Sequence, residues 1–340
     1  MKAVILAGGL GTRLRPVTGE HPKPMAPVLG RPMMEHIVEL LRRNGYTQIC
    51  AALHYRAGEI MAHFGDGRNF GVELEYRIET DNLGTAGSVK NCRDFYRDED
   101  FLVISADAAC DYDLGFLMRA HEEHEALATL ALSAEKTPLR YGLAVTDEEG
   151  YIRSFIEKPD WPQVVTDLVN TGIYVLSPGA MERVPDGLFD FGRDLFPKLL
   201  KEGAPLYGQV MQGYWRDIGT PQDYYRCCAD ALDGRLHLTP GEAFRQDVHP
   251  APEADTGEEG FTLDCDCEDR ARLMGTLSEL MLDLGATYDD GIRLEGNGYA
   301  LHISPSAVRS AVRIAVSSDD AEFARALCEA AKDVAEKLNM

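Results

Sequence analysis

The sequence has 340 residues, 45 % of them apolar, and a formal net charge of −22 at pH 7. This length leaves room for one large domain and a smaller one. The acidic balance argues against a nucleic-acid partner, because proteins that bind nucleic acid need a basic face. The sequence contains no apolar run long enough to span a membrane, and its first residues do not have the pattern of a signal peptide, so we expect neither feature. The eight cysteines form no Cys-x-x-Cys pair, which favours reduced thiols and a cytoplasmic location.

A glycine-rich loop follows the first apolar run of the chain. Residues 3–7 (A-V-I-L-A) predict a buried strand, and residues 8–13 (G-G-L-G-T-R) cannot continue it. Such a loop exposes consecutive main-chain N–H groups, which make a nest for phosphate oxygens. Arg13 adds forked donors. Lys23 stands between two prolines and is predicted to lie on a stiff, extended segment.

Two better-known phosphate loops do not match this sequence. The dinucleotide-binding fingerprint needs a third glycine where Leu14 stands, and the Walker A pattern needs a Gly-Lys-Ser/Thr that is absent. A plain glycine turn is the ordinary alternative for a lone glycine cluster. The combination with Arg13 and Lys23 favours phosphate binding.

The alternation of strands and helices predicts the fold class. The predicted strands are 49–53, 72–76, 101–105 and 127–134, and the predicted helices are 32–44, 58–64 and 114–125. We therefore expect an α/β fold with a Rossmann-like, mainly parallel sheet and helices on both faces. Ligands of such sheets bind beyond the carboxyl ends of the strands.

The first loop and the segment after it resemble a family signature. Residues 6–16 (L-A-G-G-L-G-T-R-L-R-P) and 21–28 (H-P-K-P-M-A-P-V) are similar to that of the sugar-1-phosphate nucleotidyltransferases, also called nucleotide-sugar pyrophosphorylases. The resemblance covers about residues 1–236 and implies the nucleotide-diphospho-sugar transferase fold. It also implies a set of residues that bind a nucleoside triphosphate. They are Leu6, Ala7, Gly8, Gly9, Gly11, Thr12, Arg13, Lys23, Glu79, Gly84, Thr85 and Ala86.

The resemblance implies two aspartates as ligands of Mg²⁺. Asp107 follows the strand 101–105, where a carboxylate otherwise commonly caps a turn, and Ala106 replaces the glycine that the family has before it. Asp217 lies in residues 214–221 (Y-W-R-D-I-G-T-P) and corresponds to the second ligand. Together with Arg13 and Lys23, these aspartates are the implied catalytic residues.

A third group matches the family's sugar-1-phosphate pocket. Gly142, Glu157, Lys158 and Asn170 occur in the family's order. A carboxylate, a lysine and an amide supply hydroxyl acceptors and a phosphate counter-charge.

The motif of residues 214–221 and the P-M-M-E of residues 32–35 most resemble mannose-1-phosphate guanylyltransferases. This implies that GTP and mannose-1-phosphate give GDP-mannose and pyrophosphate. Three alternatives stay open: UTP- or dTTP-dependent transfer to glucose- or N-acetylglucosamine-1-phosphate, a non-catalytic regulatory paralogue, and a bifunctional transferase–mutase. A mutase would need a phosphoserine loop, which this sequence does not contain. A homo-oligomer is compatible with the sequence.

The last hundred residues depart from the usual family partner. No hexapeptide repeat of a β-helix occurs, and residues 237–260 read as a linker before an α+β domain over 261–340. That domain resembles the C-terminal domain of phosphohexomutases. Because Ser304 replaces the arginine of that family's phosphate loop, we expect residues 304–310 to bind sugar phosphates weakly.

Overall fold

The protein is described by a computed structural model that covers residues 1–241 and parts of the remaining chain. Beyond residue 241 the described residues are 260–266, 277, 287–288, 292–296, 299–305, 311–318, 325–329, 331–332 and 335. The chain forms two compact units. The first comprises Met1–Leu132, Thr146–Ser154 and Asn170–Glu253, and the second comprises Ser133–Val145, Phe155–Val169 and Ala254–Met340.

Residues 1–241 contain thirteen strands and nine α-helices. The strands are β1 (Lys2–Ala7), β2 (Pro27–Val28), β3 (Arg31–Pro32), β4 (Gln48–Leu53), β5 (Glu73–Ile78), β6 (Phe101–Ser105), β7 (Ala108–Cys110), β8 (Ala128–Ala134), β9 (Gly142–Thr146), β10 (Ile152–Glu157), β11 (Leu168–Leu176), β12 (Leu206–Val210) and β13 (Trp215–Asp217). The helices are α1 (Arg15–Thr18), α2 (Met33–Arg43), α3 (Ala57–Phe64), α4 (Gly84–Lys90), α5 (Arg93–Tyr96), α6 (Leu114–Glu123), α7 (Pro178–Met181), α8 (Phe196–Lys201) and α9 (Pro221–Leu232).

The central sheet of the first unit is mainly parallel, which confirms the predicted fold class. Its strands run in the order β11-β6-β1-β4-β5. β1 is parallel to β4 and β6, β4 is parallel to β5, and β11 is antiparallel to β6. The pairs Ala7–Leu53 and Leu53–Ile78 align the strand ends. The loops after β1, β4 and β5 therefore start side by side at the carboxyl edge.

The predicted core faces are confirmed. The residues of β6 from Phe101 to Ile104 are fully buried, as a strand covered on both sides requires. On α2, Ile37 and Leu41 are buried, and the helix ends before Gly45, whose φ of +83° favours glycine. The predicted half-exposed strand is β5, where Leu74 is buried between two exposed glutamates.

The segment around Lys23 differs from the prediction of an extended chain. Pro22 is extended, but Lys23–Met25 forms one 3₁₀ turn. The turn is closed by bonds from the Met25 N–H to the Pro22 carbonyl (2.8 Å) and from the Ala26 N–H to the Lys23 carbonyl (3.0 Å). Pro24 needs no hydrogen bond of its own in the first positions of a turn, so it is compatible with this geometry.

The second unit contains an antiparallel sheet in the order β14-β18-β17-β16-β15. Its strands are β14 (Gly260–Asp266), β15 (Thr287–Tyr288), β16 (Ile292–Gly296), β17 (Tyr299–Pro305) and β18 (Ala311–Ser318). Helical residues at 325–329 are consistent with the predicted α+β composition. Residues 306–310 of the predicted phosphate loop lie outside the described residues, and the likeness to phosphohexomutases stays a prediction.

The start of the predicted linker is bound to the first unit. The Arg31 side chain donates to the Thr239 carbonyl (3.0 Å), and the Gly241 N–H donates to the Leu29 carbonyl (2.9 Å). Residues 242–259 lie outside the described part, so the predicted domain boundaries stay a prediction. The seven described cysteines are buried and unpaired by disulfides. In the described residues no helix combines the length and apolarity needed to cross a membrane.

Candidate nucleotide site at the carboxyl edge of the sheet

A cavity of about 540 Å³ opens at the carboxyl edge of the central sheet, in the first unit. All but one of the predicted nucleotide-binding residues line it; the exception is Ala86, which is fully buried. Asp107 lines the cavity as well, and the sequence motif that contains Asp217 contributes Gly219. The structure thus brings these predicted residues together at one cavity, while their ligand roles stay predictions.

The glycine loop presents open hydrogen-bond donors to the cavity. Within the described part of the chain, the N–H groups of residues 9–12 have no main-chain acceptor. Gly11 has a φ of +57°, and a side chain there would come within 2.7 Å of the Lys23 Cβ atom. Glycine is thus required at this position both by backbone conformation and by the approach of Lys23.

Three charged side chains form a cluster beside the loop. The Lys23 ammonium bonds to an Asp107 carboxylate oxygen and lies 3.6 Å from Asp217 Oδ1. Burial lowers the pKa of Lys23, but the two carboxylates outweigh that effect and leave the pKa above its ordinary value. Burial raises the pKa of Asp107, but Lys23 outweighs it and the pKa lies below its ordinary value. Lys23 and Asp107 are therefore both charged at neutral pH.

A small two-stranded sheet brings the aspartates together. β13 pairs with β7 so that Asp217 lies opposite Ala108, and the Ile218 N–H donates to the Asp107 carbonyl (3.0 Å). The Ser105 hydroxyl donates to Asp107. No group of three or more potential His, Cys, Asp or Glu metal ligands occurs among the described residues. A metal held here would thus complete its coordination with oxygens from substrate or water, as Mg²⁺ commonly does.

Arg13 is available for an anionic ligand. It lines the cavity, and in the described residues its guanidinium has neither a hydrogen bond nor a carboxylate partner. Its neighbouring charge is the Lys23 ammonium, which it repels. Two cations of this kind beside open N–H donors attract a group with several negative charges.

The opposite end of the cavity contains a buried carboxylate. Glu79 directly follows β5, is only 7 % exposed, and its Oε1 has no hydrogen-bond partner among the described residues. Burial raises the pKa of Glu79, and the neighbouring Ser88, His54 and Leu83 main chain offset this only in part. An unpartnered buried oxygen costs about 1–3 kcal/mol, so it is typical of a site that a ligand completes.

His54 is a cavity residue that the sequence analysis missed. It directly follows β4, and its Nδ1 donates to the Glu79 carbonyl (2.9 Å). The rule that identified Asp107, a polar residue just after a buried strand, could have found it. Asp190 also lines the cavity, but it comes from a distant loop and carries no local signal.

The predicted sugar-phosphate residues are divided between the two units. In the second unit, a Cβ atom on Gly142 would lie 2.9 Å from Glu157 Oε2, and the Lys158 N–H donates to the Tyr141 carbonyl (3.1 Å). Lys158 has a φ of +47°, unusual for a lysine. In the first unit, the Asn170 amide donates to the Tyr174 hydroxyl (2.9 Å). Gly142, Glu157 and Lys158 are thus neighbours.

Comparison with known proteins agrees with these features. The nucleotidyl transferase family model matches residues 2–234. A UTP–glucose-1-phosphate uridylyltransferase of Synechocystis sp. is 40 % identical over 250 residues, which are 69 % of this chain and 64 % of that protein. The chain therefore spans less than two thirds of that relative.

Two further relatives have other nucleotides in their names. A mannose-1-phosphate guanylyltransferase of Mycobacterium tuberculosis is 37 % identical over 245 residues, covering 72 % of this chain and 67 % of that protein. The crystal structure of a putative glucose-1-phosphate thymidylyltransferase from Bacillus anthracis superposes with a TM-score of 0.63 at 28 % identity, covering 70 % of this chain and 97 % of that one. Because the family model matches more than half of the chain, this protein belongs to the nucleotidyl transferase family.

Proposed function

We propose that this protein transfers a nucleotidyl group from a nucleoside triphosphate to a sugar-1-phosphate, giving a nucleotide sugar and pyrophosphate. The observation that carries the proposal is the open loop of residues 9–12. It lies beside Arg13, which has no ion pair within the described part of the chain, and beside the cluster of Lys23, Asp107 and Asp217. A triphosphate matches this combination of donors and cations.

Asp107 and Asp217 are the residues that would hold Mg²⁺. The fit is supported by the Lys23 ammonium, a cation already placed between both carboxylates. When bound, the metal would neutralise charge on the phosphate oxygens. Lys23, which lies beside both carboxylates, would contribute its positive charge to the same phosphates.

The residues of the chain act by positioning and by neutralising charge. The N–H groups of residues 9–12 fix the triphosphate, and Arg13 and Lys23 offset the charge that develops as a sugar-phosphate oxygen attacks the α-phosphorus in line. Pyrophosphate leaves from the opposite side. A general base is unnecessary, because the attacking phosphate is already ionised at neutral pH.

Glu79 favours guanine as the base. Guanine presents two adjacent donors, N1–H and the N2 amino group, and an ionised carboxylate accepts from both. Uracil and thymine present a single N–H between two carbonyls, which a carboxylate would repel. The buried, unpartnered Oε1 of Glu79 is the acceptor in this proposal. The guanylyltransferase among the relatives agrees with it.

The sugar is proposed to be mannose, with Gly142, Glu157, Lys158 and Asn170 as its binding residues. This assignment relies on the resemblance to guanylyltransferases. A UTP- and glucose-dependent reaction is the second candidate, which the uridylyltransferase relative favours.

Pyrophosphate release against a grid of GTP, UTP, dTTP and ATP with mannose-, glucose- and N-acetylglucosamine-1-phosphate tests the proposal. We expect Mg²⁺-dependent turnover, with GTP and mannose-1-phosphate giving the highest kcat/KM. Preference for UTP would reject the guanine assignment alone. No turnover with any pair would reject the transferase reaction and favour a regulatory paralogue.

A further inference from the structure

A distant segment holds the start of α4 from outside. Residues 187–191, called the clasp below, pack against residues 83–87 through their main chains. The N–H groups of Ala86 and Gly87 both donate to the Phe189 carbonyl (2.9 and 3.0 Å), and the Phe189 N–H donates to the Leu83 carbonyl (2.9 Å). Such a ladder fixes the position of the helix start.

Glycines allow this approach. A Cβ atom on Gly84 would lie 2.7 Å from the Phe189 carbonyl oxygen, and one on Gly87 would lie 2.6 Å from the Gly187 carbonyl oxygen. Main-chain atoms cannot swing aside as a flexible side chain can. The small residues of this segment therefore serve contact with the clasp, whatever they do for a nucleotide.

Asp190 completes the clasp with its side chain. Its Oδ1 accepts from the Thr85 N–H (3.0 Å) and from the Thr85 hydroxyl (3.2 Å), and that hydroxyl accepts from the Phe191 N–H (2.9 Å). Asp190 is itself anchored by the π-helical turn over Phe191–Leu195. The Asp190 carbonyl accepts from the N–H groups of Asp194 and Leu195, and the Asp190 N–H donates to the Asp194 carboxylate (2.8 Å). Turns of this type often occur at functional sites.

α4 in turn borders the carboxylate of Glu79. Three neighbours act on the Glu79 carboxyl: Ser88 on α4, the main chain of Leu83 just before α4, and His54 after β4. The Ser88 hydroxyl is oriented by its bond to the Gly84 carbonyl (2.6 Å). A shift of the α4 start therefore moves the surroundings of Glu79. A carboxylate must lie within a few tenths of an ångström of its ideal place to accept two hydrogen bonds from one base.

We propose that Asp190 is a positioning residue for nucleobase selection, acting through Thr85 and α4 on Glu79. The inference rests on the proposed function. In this proposal Asp190 acts through the oxygen that accepts hydrogen bonds from Thr85. The negative charge of Asp190 is not needed.

Two matched pairs of variants test it in the full-length protein. Asp190→Ala and Thr85→Val remove the side-chain bonds, whereas Asp190→Asn and Thr85→Ser retain an acceptor and a hydroxyl. The readout is the ratio of kcat/KM for the preferred nucleotide to that for the second-best. This ratio does not depend on the fraction of folded enzyme, so simple destabilisation leaves it unchanged.

We expect Asp190→Ala and Thr85→Val to lower the ratio by about ten-fold, mainly through KM, and the conservative variants to stay within about two-fold of the wild type. An unchanged ratio in both disruptive variants would overturn the proposal. So would an Asp190→Asn variant as impaired as Asp190→Ala, because the charge would then act directly on the ligand. A wild-type protein inactive with every nucleotide would instead refute the proposed function.

Discussion

Two segments rich in small residues border the same cavity and use their main chains in opposite ways. In residues 9–12, the N–H groups lack a main-chain acceptor within the described chain. In residues 84–87, the N–H groups are all bonded, to Asn82, Asp190 and Phe189. The first loop is therefore open for a ligand, whereas the second is closed by protein.

This difference shows that glycine can serve two purposes in one site. In the first loop it leaves donors uncovered, and in the second it admits another backbone. The proposed reaction assigns chemistry to the first end of the cavity and base selection to the second. Changes at the first end should then lower turnover for every nucleotide alike, and changes at the second should alter the preference among nucleotides.

The largest effect is expected at the aspartate cluster. Asp107→Asn and Asp217→Asn should each lower kcat by about 100-fold or more with every nucleotide, because each removes charge from the proposed metal site. Steady-state turnover at saturating Mg²⁺ measures this. Near-normal turnover in both variants would show that these two aspartates are not catalytic. Melting curves control for loss of fold.

At the other end, Glu79→Gln should change the preferred base. The amide offers one donor and one acceptor, which fit the N3–H and a carbonyl of uracil, and it loses one acceptor towards guanine. We expect the GTP-to-UTP ratio of kcat/KM to fall by about 30-fold. Glu75→Gln, at an exposed position of β5, is the matched control and should leave the ratio unchanged. A Glu79→Gln variant that keeps the wild-type ratio would contradict the base assignment.

Local sequence patterns mark the first end of the cavity more clearly than the second, for a physical reason. The loop of residues 8–13 and Asp107 are marked by local patterns, a glycine cluster and a polar residue after an apolar strand. The bonds of Thr85 to Asp190 span 105 residues. The rest of the clasp is main chain to main chain, which leaves no side-chain pattern to recognise.

Local patterns also misled at Lys23, where two prolines suggested an extended chain. The structure has a 3₁₀ turn instead, and the ion pairs with Asp107 and Asp217 fix where its ammonium lies. Asp107 lies between β6 and β7 and Asp217 ends β13, so no window of sequence around Lys23 contains them. Tertiary contacts of this kind decide local conformation wherever intrinsic preferences are weak.

A third prediction concerns the approach of Lys23 to Gly11. Gly11→Ala combines a left-handed backbone with a collision at the Lys23 Cβ atom, and should cost about 2–4 kcal/mol of unfolding free energy. Gly203, which follows α8, has a φ of +72° and open space around it, so Gly203→Ala isolates the contribution of the left-handed backbone, about 1 kcal/mol. Urea unfolding of both variants gives the difference. Equal losses would show that Lys23 adjusts freely and does not depend on the loop.

The smallest expected effect is a pH dependence of the KM for GTP, which arises from Glu79 at the second end of the cavity. Because the pKa of Glu79 is raised, its protonated fraction grows as the pH falls below neutral, earlier than for an ordinary glutamate. The neutral carboxyl has lost one acceptor, so guanine is bound more weakly. We expect the KM for GTP to rise by about three-fold from pH 7 to pH 6, since one titrating group changes affinity by at most ten-fold per pH unit. Titration of the nucleotide's own phosphates adds to the measured curve, but it does so equally in Glu79→Gln. The difference between the two KM profiles therefore reports Glu79 alone, and parallel profiles would mean that its ionisation has no part in binding the base.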